Sequence, residues 1–508
     1  MPEIFVTLAA AALLLLGLRL DRKPSAKSRL NRRRIDAGWC ALAVLAVVVH
    51  TDFFDFHGGG GVYLHAHDAG HYYLGARYFP ELGYTGLYGA MLAAEVDAEG
   101  GTVTRFARDL DTGVLTLSSS VLAEGRRYQQ RFSQERWHDF RRDADHFRAA
   151  MGPLYANFVL DHGFNTTPFW AFVAGGLASL VTPGDAAGIF GLVLLDLALI
   201  VAMLGGIAVA FGHRTALIAT VFLATAFGGS FDWLGGAFLR YAWLTSAVLA
   251  VCCLAGKRHK TAGALLAVSA CLRLFPAVFV LGAAVTLASH LWTTRRTGRC
   301  VELDKINTQL HFLGSFAAVC CLLIGLTLFS PHHGLAAWLS FAMNMSVYLE
   351  SVAFNLVGLG TVVGSVASLF QIESAGTALL ARVLGLGVLA LAVALARQKR
   401  DVEALALGCL VLWGVLEMAV YYYLVLVVVV IAERHRPRLL ALLFIVEAAT
   451  WTAVTMLGAG TSVHVMHSLL LALFFGVAYI DEALDLLGFE ATAEPPTAKV
   501  AAETVPWL

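Results

Sequence analysis

The chain has 508 residues, of which 58% are hydrophobic and 14% charged, and its mean hydropathy is +0.71. That is far too apolar for a soluble globular protein and defines an all-α polytopic membrane protein. Its 36 basic and 36 acidic side chains cancel, and with no basic-aromatic run anywhere, nucleic acid is excluded as a partner.

The cancelling charges are unevenly spread. Basic residues cluster at Arg19 to Arg34, Lys257 to Lys260, Arg295 to Arg299, Lys399 with Arg400, and Arg434 to Arg438, and such clusters between apolar runs mark the cytoplasmic face. Residues 4–19 are apolar and precede a basic block, the reverse of a signal peptide, so this segment reads as an uncleaved anchor with its N-terminus outside. Residues 1–35 thus form an anchor helix and a basic cytoplasmic loop, and 36–480 a transmembrane domain. A second span at 36–50 opens a large outer loop, 51–185, that contains a polar insertion at 96–150.

Within the insertion, residues 103–117 have the alternation and turn chemistry of a hairpin, and 133–150 those of a helix capped by Ser133. The apolar piece 168–181 is too short to cross, and keeping Lys257 to Lys260 inside makes it re-entrant. The same parity makes 351–370 a second non-spanning piece. Spans are expected at 186–210, 215–230, 241–256, 261–275, 277–293, 309–330, 376–397, 402–417, 420–432, 439–457 and 464–480, which gives about 11–13 in all. Gly58 to Gly61 reads as a linker and 481–508 as a disordered cytoplasmic tail. No cysteine lies between 51 and 185, and no zinc spacing occurs.

Chemistry concentrates between His65 and Tyr88, HAHDAGHYYLGARYFPELGYTGLY. One carboxylate, Asp68, sits there among His65, His67, His71, Arg77 and five tyrosines at a membrane edge, where polar groups line sites more often than cores. Further pieces follow in order: GFNTTPFWAFVAGGLASLVTP, GALLAVSACLRLFPAVFVL, NMSVYLESVAFNLVGL and AVYYYLVLVVVVI. Together with HDAGHYYLGARYF and GLY they resemble the GT-C superfamily of integral-membrane glycosyltransferases, in particular the polyprenyl-phosphate-mannose-dependent group of glycosyltransferase family 87. Two departures stand out: Asn165-Thr166-Thr167-Pro168 replaces a tyrosine-proline-proline run, and Tyr421-Tyr422-Tyr423 a late aromatic-histidine pair.

The resemblance implies a GT-C-like bundle that moves a sugar, a hexose such as mannose, from a polyprenyl-phosphate donor. The acceptor is a glycan, glycolipid or protein at the outer face of the inner (plasma) membrane, and transfer inverts the anomeric carbon. Asp68 falls where the family keeps its acidic residue, and Arg273 where a basic residue precedes a proline. Asp68 is the expected general base. Arg273, Arg240 and His333 are expected to hold the donor phosphate, because guanidinium forks match phosphate oxygens. Sugar or acceptor contacts are expected from His71, Tyr72, Arg77, Asn344, Glu350 and Tyr422. No cofactor and no metal is required, although Asp68 with Asp52 or Asp55 is compatible with a divalent cation.

Each role has a plainer competitor. Asp68 stands at a helix start and suits a cap. The three histidines suit solvated hydrogen bonding better than metal ligation, and Arg77 suits a headgroup anchor. A transporter or flippase is the alternative function, and it needs ionisable groups near mid-membrane; the spans offer Asp196, Glu403 and Glu447.

Overall fold

The computed structural model describes residues 2–21, 28–57, 62–99, 104–297, 303–350, 355–372 and 374–486. The expected glycine linker at 58–61 and the tail from residue 487 lie outside these. Among the described residues, seven helices are long and apolar enough to cross a bilayer: Pro2–Leu20, Ala186–Phe211, Phe275–Arg296, Ile306–Leu328, Ala375–Ala396, Pro437–Leu457 and Thr461–Leu484. At about 1.5 Å per residue the shortest reaches roughly 29 Å and the longest roughly 39 Å, enough for a hydrocarbon core of about 30 Å. The protein is an all-α, multi-pass membrane protein.

Fewer helices reach spanning length than hydropathy suggests, because several apolar runs fold as short helices. Gly212, at φ +88, ends Ala186–Phe211 in a conformation open to glycine and lets His213–Thr225 leave in a new direction. Ala242–Ala255 and His259–Leu272 have 14 residues each and Asp401–Val415 has 15. In Asp401–Val415 every residue from Ala404 to Gly414 is buried, as is all of Val427–Ala432. Helices apolar on every side belong inside a protein, and these form the interior against which the longer ones lie. Ser28–His50 has 23 residues, but Arg32, Arg33, Arg34 and Asp36 occupy its first half. The two pieces expected not to span are indeed short helices, Pro168–Ala178 and Leu359–Leu369, of 11 residues each.

Three local features depart from expectation. A 17-residue helix, Gly334–Glu350, fills a stretch with no assigned element. The last helix, Thr461–Leu486, runs past the expected start of the tail at 481. Leu356–Val357 pairs antiparallel with Met418–Ala419, a short tie between distant segments.

The insertion is built much as its sequence suggests. Phe106–Arg108 pairs with Leu115–Leu117, and Ser133 caps Gln134–Met151, its hydroxyl accepting the Arg136 N–H at 3.2 Å. That helix packs against Ala66–Arg77 through Phe147, beside Gly70 and Tyr73, while Phe140 meets Tyr78; both phenylalanines are fully buried. Tyr78 donates to Asp143 at 2.7 Å, and burial pushes the Asp143 carboxyl up while the Gly184 N–H, Tyr78 and Arg77 pull it down. The insertion is therefore a support for the helix that carries Asp68.

Candidate active site

Ala66–Arg77 is the positioning element, and His65 caps it. The His65 Nδ1 accepts the Asp68 backbone N–H at 3.1 Å, and its Nε2 donates to the Asp232 carbonyl at 2.8 Å. Burial keeps this imidazole below its ordinary pKa, which suits a neutral ring that accepts at one nitrogen and donates at the other. The His65 N–H donates to the Gly236 carbonyl at 2.9 Å. Gly236 sits at φ +69 with the Tyr63 carbonyl so close that a Cβ would lie 1.6 Å from its oxygen. Only glycine fits there.

Because His65 takes the cap, the Asp68 side chain is free for another role. Its Oδ1 lies 3.2 Å from Arg240 Nη2, and both side chains are buried. Its Oδ2 is buried with no hydrogen-bond partner, which is costly for a carboxylate oxygen unless a ligand completes it. Arg240 also donates to the Tyr72 hydroxyl at 2.7 Å, and Tyr72 donates to Asn165 Oδ1 at 3.1 Å. The guanidinium lies over the Tyr72 and Tyr421 rings, 4.7 Å from each centroid. Asp196 fixes it from below by accepting the Arg240 and Tyr241 backbone N–H groups at 2.8 and 3.1 Å.

These groups wall a cavity of about 630 Å³. Asp68, Tyr72, Arg240, Asn165, Trp233 and Tyr421 line it, as do His67, His71 and Asp161. Aromatic faces beside a paired carboxylate and guanidinium suit a sugar carrying a phosphate.

Of the residues singled out in the sequence, Asp68, His71, Tyr72 and Arg240 meet at this cavity. Arg273 and Tyr422 stand one layer behind: the Arg273 guanidinium is 5.5 Å from the Tyr72 ring and 5.8 Å from that of Tyr422. Arg273 is buried, its Nε has no partner, and it pairs with no carboxylate among the described residues. Three expectations are corrected. Arg77 is a structural cation: it lies 3.4 Å from Asp143 and donates to Tyr73 and, at 2.9 Å, to the Ala178 carbonyl. His333 stacks on Phe79 at 5.0 Å with Nδ1 3.2 Å from the Ser330 hydroxyl, and burial lowers its pKa to about 4, so it carries no charge for a phosphate at neutral pH. Asn344 donates to the Phe164 carbonyl at 3.4 Å. The Glu350 side chain lies outside the described residues. Asp52 and Asp55 do not line the cavity, and His71, expected to be solvated or hydrogen-bonding, is 3% exposed and hydrogen-bonded.

Sequence reasoning passed over Trp233, Asp232, Asp161 and Arg108, all at the cavity, and named Tyr421, also there, only within the run Tyr421-Tyr422-Tyr423. Tyr421 was within reach, one position from Tyr422, and helical phase separates the two. Comparison with known proteins is silent: no protein family, characterised protein or solved structure matches the chain.

Proposed function

We propose that the protein is a membrane glycosyltransferase that moves a sugar, a hexose such as mannose, from a polyprenyl-phosphate donor to a hydroxyl of a glycan, glycolipid or protein. The reading places it in the GT-C class, on the inner membrane with the cavity at the outer face. One observation carries it: the Asp68 carboxylate is held at one oxygen by Arg240 while the other, buried and unpartnered, borders a cavity of about 630 Å³.

In the proposed step the acceptor hydroxyl gives its proton to Asp68 Oδ2 as its oxygen bonds to the anomeric carbon from the face opposite the phosphate. The anomeric C–O bond to the phosphate breaks, its electrons leave with the polyprenyl phosphate, and the configuration inverts. Arg240 stabilises the departing phosphate, and Arg273 adds positive potential from behind Tyr72. Tyr421 and Trp233 offer apolar faces to the sugar ring.

The transport alternative asks for mid-membrane ionisable groups that are free to exchange partners. Asp196 accepts two backbone N–H groups, and Glu447 accepts the Phe227 N–H at 2.8 Å. Glu403 pairs with Arg400 at 2.8 Å. All three are committed as anchors.

Asp68→Asn keeps a carbonyl oxygen for Arg240 but cannot take a proton. With purified protein and a polyprenyl-phosphate hexose, turnover should fall by roughly 10²–10⁴-fold, the usual worth of a general base, while donor binding persists. Full turnover in this variant would remove Asp68 from the reaction.

A further inference from the structure

We propose that His67, His71 and Asp161 form a site for one divalent transition-metal ion on the wall of the same cavity. One nitrogen of each imidazole and one carboxylate oxygen lie within 4.8 Å of one another. The histidines are four residues apart on Ala66–Arg77 and so share a face. Asp161 comes from the turn after Tyr155–Phe158, which Arg108 braces by donating to the Leu160 and Asp161 carbonyls at 3.0 Å.

The His71 ring is already in the form a metal needs. Its Nδ1 faces the His67 carbonyl at 2.8 Å, a partner that can only accept, so Nδ1 carries the proton and Nε2 presents a lone pair. A ligating histidine characteristically donates its other N–H to such a carbonyl. The Phe158 carbonyl lies 3.3 Å from that same Nε2, and this tautomer gives the pair no proton to share. An electron-rich group of this kind is completed by a hydroxyl proton or by a cation. The Tyr88 hydroxyl, 2.7 Å from Nε2, is the competitor: it donates to His71 while accepting the Gly163 N–H at 2.9 Å.

Two imidazoles and one carboxylate suit Zn²⁺, Fe²⁺ or Co²⁺ and leave coordination positions open to the cavity. Ligand atoms about 2.0–2.2 Å from such an ion stand roughly 3.3 Å apart, and side-chain rotation, freest at the exposed Asp161, closes the spread of up to 4.8 Å. The ion would tie the Asp161 turn to the helix that carries Asp68. This site does not depend on the glycosyl-transfer reading.

The test uses the full chain in detergent, stripped with a chelator and titrated with Co²⁺, read by visible absorption and confirmed by Zn²⁺ displacement. One ion per chain should bind. His67→Ala and Asp161→Asn should weaken it by at least the roughly 10–100-fold that loss of an outer partner costs, with unchanged thermal unfolding of the stripped protein marking them as folded. Tyr88→Phe should bind as tightly as the parent or more so. Asp68→Asn should bind normally, so failure of the transfer reaction and failure of this site are separable. A parent protein that takes up no stoichiometric Co²⁺, or His67→Ala and Asp161→Asn variants that bind it unchanged, would overturn the site.

Discussion

Arg240 is held by two acids in two different ways, and the difference sets what each can do. Asp196 accepts its backbone N–H and so fixes where the residue starts. Asp68 meets its guanidinium and so fixes where it ends. With both members of the Asp68–Arg240 pair buried, each charge is tolerated because of the other. Removing the cation alone strands the carboxylate: Arg240→Met should cost about 3–5 kcal/mol of stability, the usual penalty for breaking a buried pair. The double variant Asp68→Asn/Arg240→Met should recover part of that loss. Thermal unfolding of the parent and the two purified variants checks this, and an Arg240→Met protein as stable as the parent would mean that the pair is solvated.

At the level of elements, the site depends on how one helix end is tied to another. Thr167 caps Pro168–Ala178 by accepting the Trp170 N–H at 3.1 Å, and the same hydroxyl donates to the Cys271 carbonyl two residues before Arg273. It thus closes a buried link between two helix termini. Thr167→Ala should cost about 1–2 kcal/mol, more than an exposed cap, because a buried carbonyl also loses its donor; Thr167→Ser should restore most of it. Equal melting temperatures for the alanine variant and the parent would refute the link. Ser133, by contrast, was legible as a cap from sequence, because capping needs only the few residues that follow. The break at Gly212 was legible too, falling between the spans expected at 186–210 and 215–230, whereas the shortness of the interior helices was not, since a hydropathy window averages over a single turn. That averaging is why five apolar runs looked like spans and are in fact short interior helices.

The whole molecule explains why the site itself was only half legible. Asp68, His71 and Tyr72 lie within one stretch, and local pattern exposed them. Asp161 and Asp232 reach the cavity because separate segments fold against that stretch, and nothing in their own neighbourhoods records it. Arg77 and Arg240 each stand beside aromatic residues in the sequence, yet packing sends one to Asp143 and the other to Asp68. The same sorting operates across Ala186–Phe211. Asp196 turns inward, 1% exposed, whereas Val201 and Val209 point outward at 63% and 91%. An outward face this apolar belongs against hydrocarbon chains, not water. Val201→Arg, near the middle of that helix, should therefore raise the cost of insertion by about 2.5–3.5 kcal/mol and reduce the membrane-integrated fraction, whereas Val201→Leu should leave it unchanged. Carbonate extraction of membranes followed by quantification of the integrated chain measures the difference. Equal integration of the arginine and leucine variants would place that face in water or against another protein and remove the lipid from this side of the bundle.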